Sequence, residues 1–171
     1  GLSKDKNRII EIAAVNVTDP THAPMSTLIN PGRFNIPPPI TQLTGITDED
    51  CRAGVTLAQC AHELGKLLVE HEVFVNPVTW GGGDSVDLLR AFAQAQVEFH
   101  HFGRRWIDVK TWATLLSLAR TQSAKIQHGG LSKAMARYKL QFVGKAHRAD
   151  VDAFNTLRLF FAILERQRIL E

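Results

Sequence analysis

Runs rich in β-branched residues alternate with runs of helical spacing along this chain, and few architectures accept that order. RIIEIAAVNV (8–17) reads as a strand and MSTLINP (25–31) as its neighbour, with TDPTH (18–22) as the turn between them. EVFVNPVTW (72–80) and WIDVK (106–110) read as two further strands. Thr56–Glu70, Ser85–Phe99, Thr111–Arg120, Leu131–Tyr138 and Ala149–Ile169 carry apolar residues at helical intervals. Strands first, then helices alternating with strands, predict an α/β domain built on a mixed sheet flanked by helices. With 171 residues, no repeat and no linker-like tract, the chain is expected to form a single domain over 1–171.

Local signals refine this outline. Pro37, Pro38 and Pro39 predict an extended loop rather than a helix or a central strand. Thr47 followed by Asp50 has the form of a capping box that opens a short helix. Leu57, Cys60, Leu64 and Leu68 fall on one face of the next helix. In the last helix, Val151, Phe154, Leu157, Phe161 and Leu164 form the expected core-facing stripe.

No apolar run approaches the roughly 18 residues that a spanning helix needs, so no membrane partner is expected. No basic segment leads into an apolar one, which points to an intracellular, cytoplasmic setting. Cys51 and Cys60 have no histidines at zinc spacing and are read as reduced thiols. Lys125, Lys133, Arg137, Lys139, Lys145 and Arg148 crowd one stretch, and Arg104 with Arg105 forms a second basic patch. Such groups suit a polyanionic substrate. A solvated charged face would look the same in sequence.

Three segments carry candidate chemistry. In VTWGGGDSVDLL (78–89) a strand ends in three glycines and Asp84 stands at the mouth of a helix, where ligands of open α/β sheets gather. Asp84 could equally cap that helix. No Gly-Lys-Ser/Thr follows, so this is not a phosphate loop. In Leu43, Thr44, Gly45, Ile46 and Thr47, hydroxyls and backbone N–H groups could hold the phosphate or sugar of a terminal nucleotide, or simply turn a loop into a helix. In AHRADVDAFNT (146–156), Asp150 and Asp152 both suit an ordinary first helical turn. His147 lies on the loop before that turn and could approach a site shared with Asp152 from another side, as a general base must.

Together these segments resemble the DEDD-type 3′–5′ exonucleases, the DnaQ-like branch on the ribonuclease H-like fold. RIIEIAAV resembles the family's second strand, LTGIT its loop at the substrate's 3′ end, and TWGGGD its second motif. WID, with Asp108, resembles a short motif further on, and GLSKAMARYKL the helix before the final motif. HRADVDA fits that final motif in its histidine form (DEDDh), and the Eri-type and KapD-type exoribonucleases look nearest. The resemblance implies hydrolysis of RNA or DNA single strands from a free 3′ end with two Mg2+ or Mn2+ ions. It implies Asp84 and Asp152 as metal ligands and His147 as general base, with Lys145, Arg148 and residues 43–47 on the substrate. Asp150 would be only a first-turn acid.

The family's first motif, an Asp-x-Glu on the central strand, has no counterpart here. Gly1 and Leu2 resemble its tail, Asp5 falls in the polar turn that would follow, and Glu11 is on the second strand, outside the metal set. The expectation is therefore an exonuclease-like domain that is incomplete at its N-terminus and lacks its central strand. Its alternative is a catalytically inactive nucleic-acid-binding module on the same fold.

Overall fold

The computed structural model describes residues 8–19, 24–71, 73–121 and 129–168. Gly1, Leu2, Asp5 and Lys125, and residues 20–22 of the expected first turn, lie outside them.

Strand β1 (Glu11–Ala14) pairs antiparallel with β2 (Met25–Leu28), Glu11 facing Leu28 and Ala14 facing Met25. Both are shorter than their apolar runs because an asparagine turns the chain at each end. Asn16 Oδ1 accepts from the Thr18 N–H at 2.9 Å, and Asn30 Oδ1 accepts from the Gly32 N–H at 2.9 Å.

Helix α1 (Pro38–Thr44) overturns the expected extended loop. Pro37 is the N-cap, and Pro38 and Pro39 fill the first two helical positions. The missing proline N–H groups fall among donors that a helix start leaves unused, and the fixed φ suits a first turn. Gly45 closes the helix at φ 80°, a left-handed conformation that costs a residue with a Cβ. Helix α2 (Asp48–Ala53) opens on the expected box: the Asp50 N–H donates to Thr47 Oγ1, and Asp50 Oδ2 accepts from the Thr47 N–H. Thr56 and Gln59 form a second such box at the start of α3 (Leu57–Glu70).

Strand β3 (Val78–Thr79), helix α4 (Gly83–Gln94) and strand β4 (Ile107–Asp108) form a βαβ unit with parallel pairing. β3 is far shorter than EVFVNPVTW, since Pro77 cannot donate and Phe74 and Val75 are exposed. α4 stops before the expected Phe99 because Gln96 turns to φ 53°. Helices α5 (Val109–Thr121), α6 (Leu131–Arg137) and α7 (Ala149–Arg168) complete the described elements.

The main core joins Val109 of α5, Leu131, Ala134 and Met135 of α6, and Leu159, Phe160 and Ile163 of α7. The expected stripe on α7 is partly wrong. Leu157 is buried, but Phe154 and Phe161 are exposed, and Asn155, Thr156, Leu159, Phe160 and Ile163 face inward. Apolar residues occur on several sides of this helix, so the neighbours that pack on it choose the buried one. A second cluster, Ile36, Ile46 and Cys51, seats α1 and α2 against β1 and β2. Both cysteines are free and buried, and burial pushes the Cys60 thiol up to about 11.

The β1–β2 and β3–β4 ladders are separate: among the described residues neither pairs with the other. A groove of about 640 Å³ runs between them, walled by β1 and β3 and floored by apolar side chains including Leu64, Leu68, Trp80 and Leu157. α7 packs against both strand pairs, so its first turn looks into this groove.

Candidate active site

Asp84 and Asp152 line the same groove, each from the first turn of a helix. Asp84 does not cap α4: Gly82 holds the N-cap position and no side chain bonds there. Of the three glycines only Gly81 needs a left-handed φ, at 98°, and positions 82 and 83 face open space. Asp84 is exposed at its surface, yet partial desolvation by its neighbours raises its pKa, and the charges of Asp87, Asp152 and Asp108 raise it further. Burial also raises Asp152, against a hydrogen bond and a charge from His147, while Asp150 and Glu11 push it up again. Asp87 lines the groove one helical turn after Asp84 and also pairs with Arg90 at 3.0 Å. The sequence reading passed over it, although the i, i+3 spacing from Asp84 was the available signal.

Asp152 shares a helix face with the buried Thr156, Leu159 and Ile163, which aims it at the strand ends. Its Oδ1 accepts from the His147 N–H at 3.4 Å. His147 itself is exposed, at φ 69° on the turn before α7, and is not among the groove-lining residues. Asp150 stands in the same first turn, and its Oδ1 is buried with no hydrogen-bond partner among the described residues.

Asp108 turns its carboxylate to the start of α5 rather than to the groove, accepting from the Thr111 N–H at 3.1 Å and the Thr111 hydroxyl at 2.7 Å. Burial alone would raise its pKa. Hydrogen bonds from the Thr111 hydroxyl and from the backbone of Thr111, Lys110 and Gly81 outweigh that and lower it.

The five residues 43–47 divide by what remains free. Leu43 is exposed. The Thr44 hydroxyl donates to Ile40 O and accepts from the Ile46 N–H, while Thr47 is occupied by its box with Asp50. The Ile46 side chain is buried beside Ile36 and Cys51. Lys145 reaches this loop from the other end of the chain: its Nζ lies 2.6 Å from where a Cβ on Gly45 would be.

Arg148 points elsewhere. Its Nη2 donates to Glu11 Oε1 at 2.7 Å, and its Nε lies 3.1 and 3.2 Å from the two Glu11 oxygens. Among the described residues no three His, Cys, Asp or Glu side chains lie close enough to hold a metal ion together.

A family model described as Exonuclease (RNase_T) matches residues 1–160. Among solved structures, the nuclease domain of 3'hExo, a DEDDh family member bound to rAMP, aligns with a TM-score of 0.78 and 17% identity over 93% of this chain and 82% of its own. A full-length 3'-exonuclease gives 0.77 and 16% over 92% and 52%, and a 3'-exonuclease in specific recognition of the histone mRNA stem-loop gives 0.75 and 18% over 92% and 72%. At these identities the likeness shows the fold, the ribonuclease H-like α/β architecture of DEDDh exonucleases. No curated protein matches the sequence.

Proposed function

The chain belongs to the exonuclease family, and from that premise we propose that it serves to hydrolyse phosphodiester bonds from the 3′ end of single-stranded RNA or DNA. The observation that carries this reading is the meeting of Asp84 and Asp152 in one groove. Asp152 is half-buried and Asp84 exposed, and the pKa of Asp84 is raised by its surroundings, the charge of Asp152 among them. A divalent cation between them would relieve that repulsion, and hard Mg2+ or Mn2+ prefers carboxylate oxygen. Such ions, when bound, would activate water for attack and stabilise charge on the leaving oxygen.

The chain's own residues then divide the work. Asp84 and Asp152 would hold the ions. His147, exposed on the turn before α7, would accept the proton of the attacking water. Lys145 contacts the terminal phosphate beside Gly45, and Leu43 offers an apolar surface to the last base. Arg148 is not among the groove-lining residues, and its donors are directed to Glu11.

One observation favours a second reading, a module that binds nucleic acid without cutting it: among the described residues no three His, Cys, Asp or Glu side chains lie close enough to hold a metal ion together. Digestion of 5′-end-labelled single-stranded RNA and DNA with Mn2+ separates the two. It compares the present sequence with one carrying an Asp-x-Glu strand joined ahead of Gly1. A ladder shortening from the 3′ end, abolished by a chelator, supports the exonuclease. Retention of the oligonucleotide without shortening in both forms supports the module.

A further inference from the structure

We infer that Glu11 and Arg148 form a clamp that positions the first turn of α7, and with it Asp152, in the groove; this rests on Asp152 being a working residue of the site proposed above.

Helix α7 begins at Ala149 with an arginine before it, so no Ser, Thr, Asn or Asp stands ready at the N-cap to take its free N–H groups. The missing acceptor comes from β1. Glu11 Oε2 accepts from the Ala149 N–H at 2.7 Å, across 138 positions of sequence. The same carboxylate takes the Arg148 guanidinium by Nε and Nη2, and Ser26 of β2 adds a hydroxyl at 3.5 Å.

The burial of this carboxylate is what makes the arrangement more than a surface contact. The Glu11 side chain is only 4% exposed, against 35% for Arg148. A buried carboxylate is costly unless paired and hydrogen-bonded. Here the charge is matched by one guanidinium, and each of its oxygens accepts at least one N–H. A bidentate arginine also fixes orientation, which a lysine would not. Asp152 sits one turn beyond Ala149, so the clamp sets where its carboxylate stands relative to Asp84. Glu11, Ala149 and Asp152 all line the groove. Glu11 therefore does not need to touch a metal or a substrate to matter for the site.

The test measures backbone amide exchange along α7 by NMR in the full chain and in Glu11→Gln, Glu11→Leu and Arg148→Met, with Mn2+ line broadening read at Asp84 and Asp152. Glu11→Leu should speed exchange in the first turn, Ala149–Asp152, roughly 5- to 30-fold, the range for a lost helix cap. Exchange at Leu159–Ile163 should stay at the parent rate. Glu11→Gln keeps an oxygen for the Ala149 N–H and should show a smaller effect. Arg148→Met should show that removing the arginine alone also loosens this turn. Mn2+ should broaden Asp84 and Asp152 together in the parent, and Asp152 more weakly than Asp84 in Glu11→Leu. Unchanged exchange at Ala149 in Glu11→Leu, or a rise spread evenly along α7, overturns the clamp. Absence of Mn2+ broadening in the parent would count against the metal reading alone, because the exchange data decide the clamp without it.

Discussion

Asp84, in the first turn of α4, stands close enough to Asp152, in the first turn of α7, for the charge of one to raise the pKa of the other. A carboxyl whose pKa is raised on folding binds its proton more tightly in the native state. Its contribution to stability is therefore fully present in acid and falls as the pH climbs through the raised value. Asp84→Asn should remove this loss. At neutral pH the variant should melt higher than the parent, by a small margin because the group is exposed to solvent. Mn2+ should raise the parent's melting temperature and leave that of the variant nearly unmoved. A variant that melts lower at neutral pH than at pH 4, as steeply as the parent does, would contradict this.

Gly45→Ala forces a Cβ into a left-handed turn, at a cost of about 1 kcal/mol, and drives Lys145 away from the loop. Calorimetry should register the first effect and titration with single-stranded oligonucleotide the second. Lys145→Ala should weaken binding to all sequences alike and reduce the salt slope by about 0.7, the value for one phosphate contact on a single strand. An unchanged slope would remove Lys145 from the substrate path.

The inward face of α7 gives a contrast in stability. Ile163 is fully buried in the main core, and Ile163→Ala should cost about 2–5 kcal/mol in denaturant unfolding. Phe161, 41% exposed on the adjacent face, should cost far less on truncation, under about 1 kcal/mol. Equal losses would mean that the helix is seated the other way round.

These contrasts also show what could be read from the sequence. The placement of Asp84 and Asp152 along one groove was legible because local signals mark both positions: a glycine-rich strand end before one, and a histidine at a fixed distance before the other. The boxes at Thr47 and Thr56 are local as well, and the sequence marks the first directly. The pairing of Arg148 with Glu11 was not legible, since it joins residues 137 positions apart and nothing near either names the other. The proline run misled because a rule for helix interiors was applied to a helix start. The face of α7 misled because its apolar residues fit several stripes, and only packing selects among them.

His147 supplies the sharpest test of the chemistry. Its ring is exposed on a turn that its own positive φ holds just before Asp152, and only its backbone N–H touches that carboxylate. Losing the side chain should therefore leave the turn, the carboxylates and the bound nucleic acid as they are. In the form carrying an Asp-x-Glu strand, His147→Ala should lose roughly 10²–10⁴-fold in turnover, the usual worth of a general base. Affinity for the oligonucleotide should hardly change, because it comes mainly from phosphate contacts such as the one proposed for Lys145. Imidazole in the medium should restore part of the rate to His147→Ala and none to Asp152→Asn, where a metal ligand rather than a proton acceptor is altered. If His147→Ala shortens end-labelled RNA at the parent rate, the histidine is a surface residue beside a helix start, and the proton must leave the attacking water by another route.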